Sequence, residues 1–329
     1  MLALFRTNQF VSNILLIFYV LVLRGMVFLL PAQDVAMSQP GILSQFIYDW
    51  IGTVGWMPDL LALILVLIQA LLVNVIVAKY RMARSVSLYP GVFYILIASS
   101  FPVFLHLSPL LLANTFLLLA IYELYNTYKK YSSAGELYNI GLWIGIAALF
   151  YYSMLVFLLA AIVGFTIVRS FKLKEMMMLL LGVLSAYWLL AVWYFFTGHY
   201  EDFFWSKAIL ENMGMIQLSG NYSIPNYAQI AVFGTLLLVC LLNYNNYSHK
   251  ISTQAHKNLD ILYWFMAASL ISIFIQQGIA VDHLLILAIP LSILFAMTML
   301  YMNNRLAEAL HFLIVVGILL FQTERLWGN

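Results

Sequence analysis

The chain has 329 residues, 64% hydrophobic and only 9% charged, with a formal net charge of +2 and a mean hydropathy of +0.97. Soluble domains carry about 25% charged residues, and at this length no water-facing core hides so much apolar surface. A soluble fold is excluded, and the scattered basic residues exclude a nucleic-acid face. The expected fold class is all-α, a polytopic transmembrane bundle forming one integral membrane domain over 1–329.

A lipid span takes about 20 apolar residues, because each backbone polar group must be bonded within it. The first run, over 10–30, is too long for a signal-peptide core, and "LRGMVFLLPAQD" offers no small-residue cleavage site, so a retained helix is expected. Arg24 falls inside it, about a turn and a half from its far end, placed either to snorkel or pair structurally, or to hold an anion in its planar fork. In the loop 31–56, Ile42, Leu43, Phe46, Ile47, Trp50 and Ile51 repeat with helical spacing opposite Ser44, Gln45, Tyr48 and Asp49, which predicts a helix lying in the membrane interface. Spans follow at 57–78, 88–105 and 108–126, with Gln69, Asn74 and Asn114 expected to bond between helices. The segment 138–169 is too long for one span and too short for two, which fits two short helices meeting near Tyr151-Tyr152-Ser153. Gly141 and Gly145 there form a small-xxx-small spacing that lets two helices approach closely. After 176–197 comes a second long loop, 198–226, where aromatic residues stand beside Glu201, Asp202, Lys207 and Glu211, again an interfacial helix pattern. Four spans remain, at 227–244, 260–276, 283–301 and 308–323, making eleven. Cys240 reads as a small buried hydrophobe, His311 as a packing residue, and Asp282-His283 stand together at the head of the tenth span.

Threading the loops through eleven spans puts twelve of the fifteen Lys and Arg residues on one face, which the positive-inside bias makes cytoplasmic. The N-terminus is then expected inside and the C-terminus outside. The outer face collects Asp34, Asp49, Asp59, His106, His199, Asp282 and His283 among its ionisable groups. A solvated acid, or an acid favoured by a helix dipole, explains each of them without chemistry. Gathered under interfacial helices they would instead line a pocket, where carboxylates with raised pKa values serve as general bases. GxxxxGK[ST], HExxH, CxxC, GxSxG and GxGxxG are all absent, and no cofactor or metal is expected.

Three stretches, "LILVLIQALLVNVIVAKYRMARSVSLYPGVFYILIASSFP" (63–102), "SPLLLANTFLLLAIYELYNTY" (108–128) and "LYNIGLWIGIAALFYYSMLVFLLAAIVGFTIVRSF" (137–171), resemble an uncharacterised multipass family of Bacteroidota. That resemblance implies the inner membrane of a Gram-negative cell. "NIGLWIGIAALFYYSMLVFLL" and "VDHLLILAIPLSILFAM" are similar to segments of GT-C glycosyltransferases, which move sugars from a polyprenyl-phosphate carrier at the outer face. Where the second of those segments usually opens on a basic residue, this chain has Asp282. The resemblance implies Asp34 as general base with Asp49 as substitute, Arg24 and His283 at the phosphate, and His106, His199 and Asp282 lining the site. It also implies a polyprenyl-phosphate-linked sugar and membrane lipids as partners. Two other readings stand beside it. One is a non-catalytic subunit docking other envelope membrane proteins, and the other is a lipid or sugar transporter.

Overall fold

The computed structural model describes residues 2–6, 10–28, 40–83, 85–130, 132–170, 172–198, 224–248, 251–275 and 281–327. Every regular element among them is helical. In chain order these are α1 Phe10–Arg24, α2 Ile42–Ile51, α3 Trp56–Lys79, α4 Tyr89–Ala98, α5 Pro109–Asn126, α6 Ala134–Phe150, α7 Phe157–Val168 and α8 Leu173–Phe196. They continue with α9 Ile224–Leu242, the single turn α10 Tyr244–Ser248, α11 Thr253–Phe274, α12 Ala288–Tyr301 and α13 Asn304–Trp327. All eleven expected spans contain a helix, and α2 forms where the apolar repeat in 31–56 places it. Among the described residues, six helical stretches are long and apolar enough to cross a bilayer unaided, among them Trp56–Lys79, Leu173–Phe196 and Asp282–Tyr301. The protein is a multipass membrane protein.

In two of the spans a proline divides the helix. At about 1.5 Å per residue, α4 reaches only half of a 30 Å hydrocarbon layer. It ends at Ala98, and a 3-10 turn over Pro102–Leu105 resumes the path. Asp282 and His283 likewise begin not an α-helix but the 3-10 segment Val281–Leu287, with α12 starting at Ala288. Pro290 lacks an N–H, and its ring would clash with the carbonyl of Ile286 in a continuous α-helix.

The centre of the bundle is α4 packed on α12. All ten residues of α4 are buried, as is the run Ala288–Met299, and Phe93 meets Phe295 edge-on at 4.9 Å between ring centroids. The apolar side chains left exposed, such as Phe18 on α1, Trp188 on α8 and Leu313 on α13, face outward, as lipid-facing residues do. The predicted break in 138–169 falls at Tyr151, whose extended backbone ends α6 before the 3-10 turn Tyr152–Val156 and α7. That break is inside protein: Ser153 is buried and bonds Ser272 of α11 at 2.7 Å.

Gly141 and Gly145 make the close contact that their spacing predicts. A Cβ on Gly141 would stand 1.9 Å from the Leu179 carbonyl oxygen of α8, and one on Gly182 would stand 2.1 Å from that of Tyr138. The buried amides also bond between helices. Gln69 of α3 donates to the Leu111 carbonyl at 2.6 Å and to Thr115 at 2.7 Å, and accepts from Tyr94 at 2.6 Å. Asn74 accepts from the Gly91 amide at 2.7 Å, and Asn114 donates to the Leu285 carbonyl at 3.1 Å. His311 is buried and bonds Tyr19, tying the last helix to the first.

The connections after α5 and α7, which carry Lys129, Lys130 and Arg169, meet at one end of the bundle. There Lys130 pairs with Glu136 at 2.5 Å, and Arg169 donates to Ser133 at 2.5 Å and lies 3.9 Å from Glu175. The opposite end, which holds Arg24, α2, Asp59, His106, Tyr151 and Asp282-His283, is where the expected site residues meet.

Candidate functional site

Arg24 ends α1 with no exposed surface. Its Nη1 donates to the Ala98 carbonyl at 2.8 Å, and its Nη2 donates to those of Phe104 and Leu105 at 2.9 and 2.6 Å. These carbonyls belong to the C-terminal ends of α4 and of the 3-10 turn, where the i→i+4 partner is missing and the helix dipole is negative. Of the two roles open to Arg24, the arrangement found is the structural pairing. Its terminal nitrogens are turned onto backbone, while its buried Nε has no hydrogen-bond partner among the described residues.

What Arg24 holds is the segment that carries His106. The His106 Nδ1 lies 2.9 Å from Asp59 Oδ1, with the two side chains 14% and 10% exposed. Asp59 stands in the first turn of α3 and is held there by the helix start. A carboxylate on one ring nitrogen fixes the tautomer and orientation of the imidazole and leaves the other nitrogen available. This is the base-and-orienter arrangement of nucleophilic and acid–base sites.

Asp282 and His283 form a second pair, at 3.3 Å between Oδ1 and Nδ1. They are 1% and 3% exposed, so the expectation of an acid at a water-facing boundary gives way to a buried pair. Tyr151, at the α6–α7 break, puts its hydroxyl 3.1 Å from Nε2 and 3.2 Å from Nδ1 of His283. The break therefore positions a side chain as well as shortening the helices.

α2 bridges the two pairs. Its N-terminus docks on the end of α6, where the Gly41 amide and the Ser44 hydroxyl both donate to the Phe150 carbonyl, at 3.0 and 2.9 Å. A Cβ on Gly41 would meet that carbonyl at 2.7 Å. Further along, Tyr48 donates to the Leu107 carbonyl at 3.3 Å, one residue from His106. Burial, and then the nearby charge of Asp282, push the Tyr48 phenol above its ordinary range. The helix is thus turned relative to its apolar repeat. Ser44 and Tyr48 face the protein because they satisfy carbonyls at helix ends, while Phe46 and Trp50 stay exposed. Asp49 is on the exposed side as well.

Beside this polar end, an apolar cavity of about 330 Å³ runs between α4, α9, α12 and α13. It reaches from Phe295 to Ser100 and Phe101, next to the carbonyls that Arg24 holds.

The structure therefore brings Arg24, His106, Asp282 and His283 to one end and leaves Asp49 on its surface. Asp34, His199 and most of the loop 198–226 lie outside the described residues. Asp59, grouped in the sequence with the outer ionisable residues but given no role there, joins the site through its bond to His106, and Tyr48 and Tyr151 are members that residue type alone did not single out. The signal for Asp59 was its place at a span end on the same face as His106. Among the described residues, no three His, Cys, Asp or Glu side chains come together as a metal site.

The sequence model of the Family of unknown function (DUF6427) matches residues 1–327. No curated protein matches the chain. Among solved structures, the chain is similar to the crystal structure of ArnT from Cupriavidus metallidurans bound to undecaprenyl phosphate, at 13% identity and a TM-score of 0.48. The likeness covers 90% of this chain and 57% of that one, so the chain spans little more than half of its length.

Proposed function

The chain belongs to that family of unknown function, and from its own geometry we propose that it transfers a glycosyl or related group from a polyprenyl-phosphate carrier. The observation that carries this reading is a polar rim, with its carboxylate-held imidazole, joined along the segment 98–106 to an apolar cavity that reaches Ser100 and Phe101 within the membrane-spanning helices. A carrier of this class has two such parts, a phosphate head and a hydrocarbon tail. The cavity volume of about 330 Å³ falls in the range of small-ligand pockets, about 300–1,000 Å³. In this reading the tail occupies the cavity and the head reaches the rim. The acceptor's proton goes to Asp34, the base implied by the sequence resemblance, or to His106 backed by Asp59. Arg24 holds the segment 98–105 in place. On the lysine bias this end faces outward from the inner membrane, with the C-terminus on the same side.

The test is transfer from a panel of polyprenyl-phosphate-linked sugars by the chain reconstituted in lipid, with Asp34→Asn and His106→Gln beside the wild type. General acid–base catalysis contributes about 10²–10⁴-fold, so a loss of about 100-fold or more in one of them, with the fold intact, is the expected result. Unchanged transfer in both variants would remove both bases. No bound carrier and no transfer with any donor would favour the second reading.

That second reading is a non-catalytic membrane subunit of an envelope complex, and the burial of Arg24, Asp282 and His283 supports it, since their charged groups contact other protein groups rather than an open surface. The exposed Phe46 and Trp50 on α2 would then form part of a docking face. It predicts a stoichiometric partner after mild extraction, lost on Trp50→Glu.

A further inference from the structure

At the lysine-rich end, far from the rim, a cavity of about 470 Å³ opens between the α3–α4 connection and the start of α11. Val77, Ala78, Arg81, Ser85, Ser87 and Ser252 contribute to its lining. Three features there are unusual for a loop that only joins two helices.

The first is Arg81. α3 ends in a Schellman arrangement, with the Met82 amide donating to the Val77 carbonyl at 3.1 Å and the Arg81 amide to that of Ala78 at 3.2 Å. The residue after the cap is left-handed, φ +48°, a position at which glycine is usual and a side chain is strained. The chain nonetheless carries an arginine, exposed, whose guanidinium makes no hydrogen bond or ion pair among the described residues. The second is Ser87, 5% exposed, whose Oγ has no partner among the described residues. Buried hydroxyls are nearly always bonded, so an unmatched one on a cavity wall points to a group that completes it. The third is the N-terminus of α11. Ser252 caps it by accepting from the Ala255 amide at 3.3 Å, and the remaining first-turn amides of this 22-residue helix favour an anion through hydrogen bonding and the dipole.

We infer that this cavity is a binding site for a phosphate group, with Arg81 as the charge partner and Ser85, Ser87 and the α11 N-terminus as donors. The phosphate is that of an anionic lipid headgroup or of a soluble phosphate compound. Strain at Arg81 and the unmatched hydroxyl of Ser87 both lower the stability of the free protein, and both are explained if the side chains meet a ligand.

This gives a test in which loss of binding is not confused with loss of folding. Arg81→Gly suits the left-handed backbone better than arginine, and Ser87→Ala removes an unmatched buried hydroxyl, so both variants are expected to fold at least as well as the wild type. The full chain in phosphatidylcholine nanodiscs is melted with and without inorganic phosphate, and again in discs containing phosphatidylglycerol. Stabilisation by inorganic phosphate identifies a soluble ligand, and stabilisation by phosphatidylglycerol alone identifies the headgroup. In either case Arg81→Gly weakens apparent affinity about tenfold or more, the effect of losing one hydrogen bond to a charged group. Ser87→Ala weakens it less, while Arg305→Gln, an exposed cation of the same end outside the cavity, leaves it unchanged. No stabilisation by either probe overturns the site. So does stabilisation that Arg81→Gly retains, or that Arg305→Gln loses equally, since diffuse surface charge then accounts for it.

Discussion

Replacing Arg24 by methionine separates the two roles that an arginine in a span can have. Methionine fills much of the same space without a donor, so it removes the three bonds to Ala98, Phe104 and Leu105 and leaves those carbonyls buried. Hydrogen bonds to a charged group contribute about 1.5–3 kcal/mol each. They share two nitrogens and do not add, so the better guide is the cost of breaking a buried charged set by deleting one partner, about 3–5 kcal/mol. We expect Arg24→Met to lower the unfolding free energy by that amount. Arg24→Lys keeps the charge but replaces a planar fork with a single nitrogen, and is expected to lose about half as much. Equilibrium unfolding in mixed micelles, titrated with sodium dodecyl sulfate and followed by tryptophan emission, reads both. A loss below about 1 kcal/mol for Arg24→Met would refute the structural pairing, and an unchanged stability with weaker carrier binding would return Arg24 to the phosphate.

The α6–α8 contact and Tyr48 give two more predictions. In Gly182→Ala the new methyl would stand 2.1 Å from the Tyr138 carbonyl oxygen and 2.7 Å from the Leu142 nitrogen. These backbone atoms cannot swing aside, so the helices must part at a cost of about 1–3 kcal/mol. Gly234→Ala, with nothing within 4 Å, should be neutral or mildly stabilising, and equal losses in the two variants would undo the packing argument. For Tyr48, the folded state favours the neutral phenol because burial and then Asp282 raise its pKa. Its contribution is therefore fully present below the free phenol's pKa of about 10 and is lost as pH rises above that value. Tyr48→Phe should cost about 0.5–1.5 kcal/mol at neutral pH through the bond to Leu107, yet lose less on going to alkaline pH. Parallel stability profiles for the two proteins between neutral and alkaline pH would refute this.

Local pattern settles the membrane class, the positions of eleven helical segments, the break near Tyr151 and the close approach at Gly141 and Gly145. Each depends on hydropathy, glycine spacing or chain length within a few tens of residues, and lipid allows the backbone few alternatives to a helix. The candidate site was legible only in part. That His106 and Asp282-His283 gather at one end follows from counting spans. Their partners do not, because they come from elsewhere in the chain: Asp59 is 47 residues from His106, Tyr151 is 132 from His283, and the carbonyls of Ala98, Phe104 and Leu105 are 74 to 81 from Arg24. The rotation of α2 was equally hidden. The apolar repeat counts hydrophobic residues, whereas the end of α6 and the carbonyl of Leu107 demand donors, and Ser44 and Tyr48 supply them. Sequence alone determined the membrane class and which segments are helical. The tertiary structure decided which polar groups are matched, since an unsatisfied carbonyl or imidazole finds its partner through packing between helices.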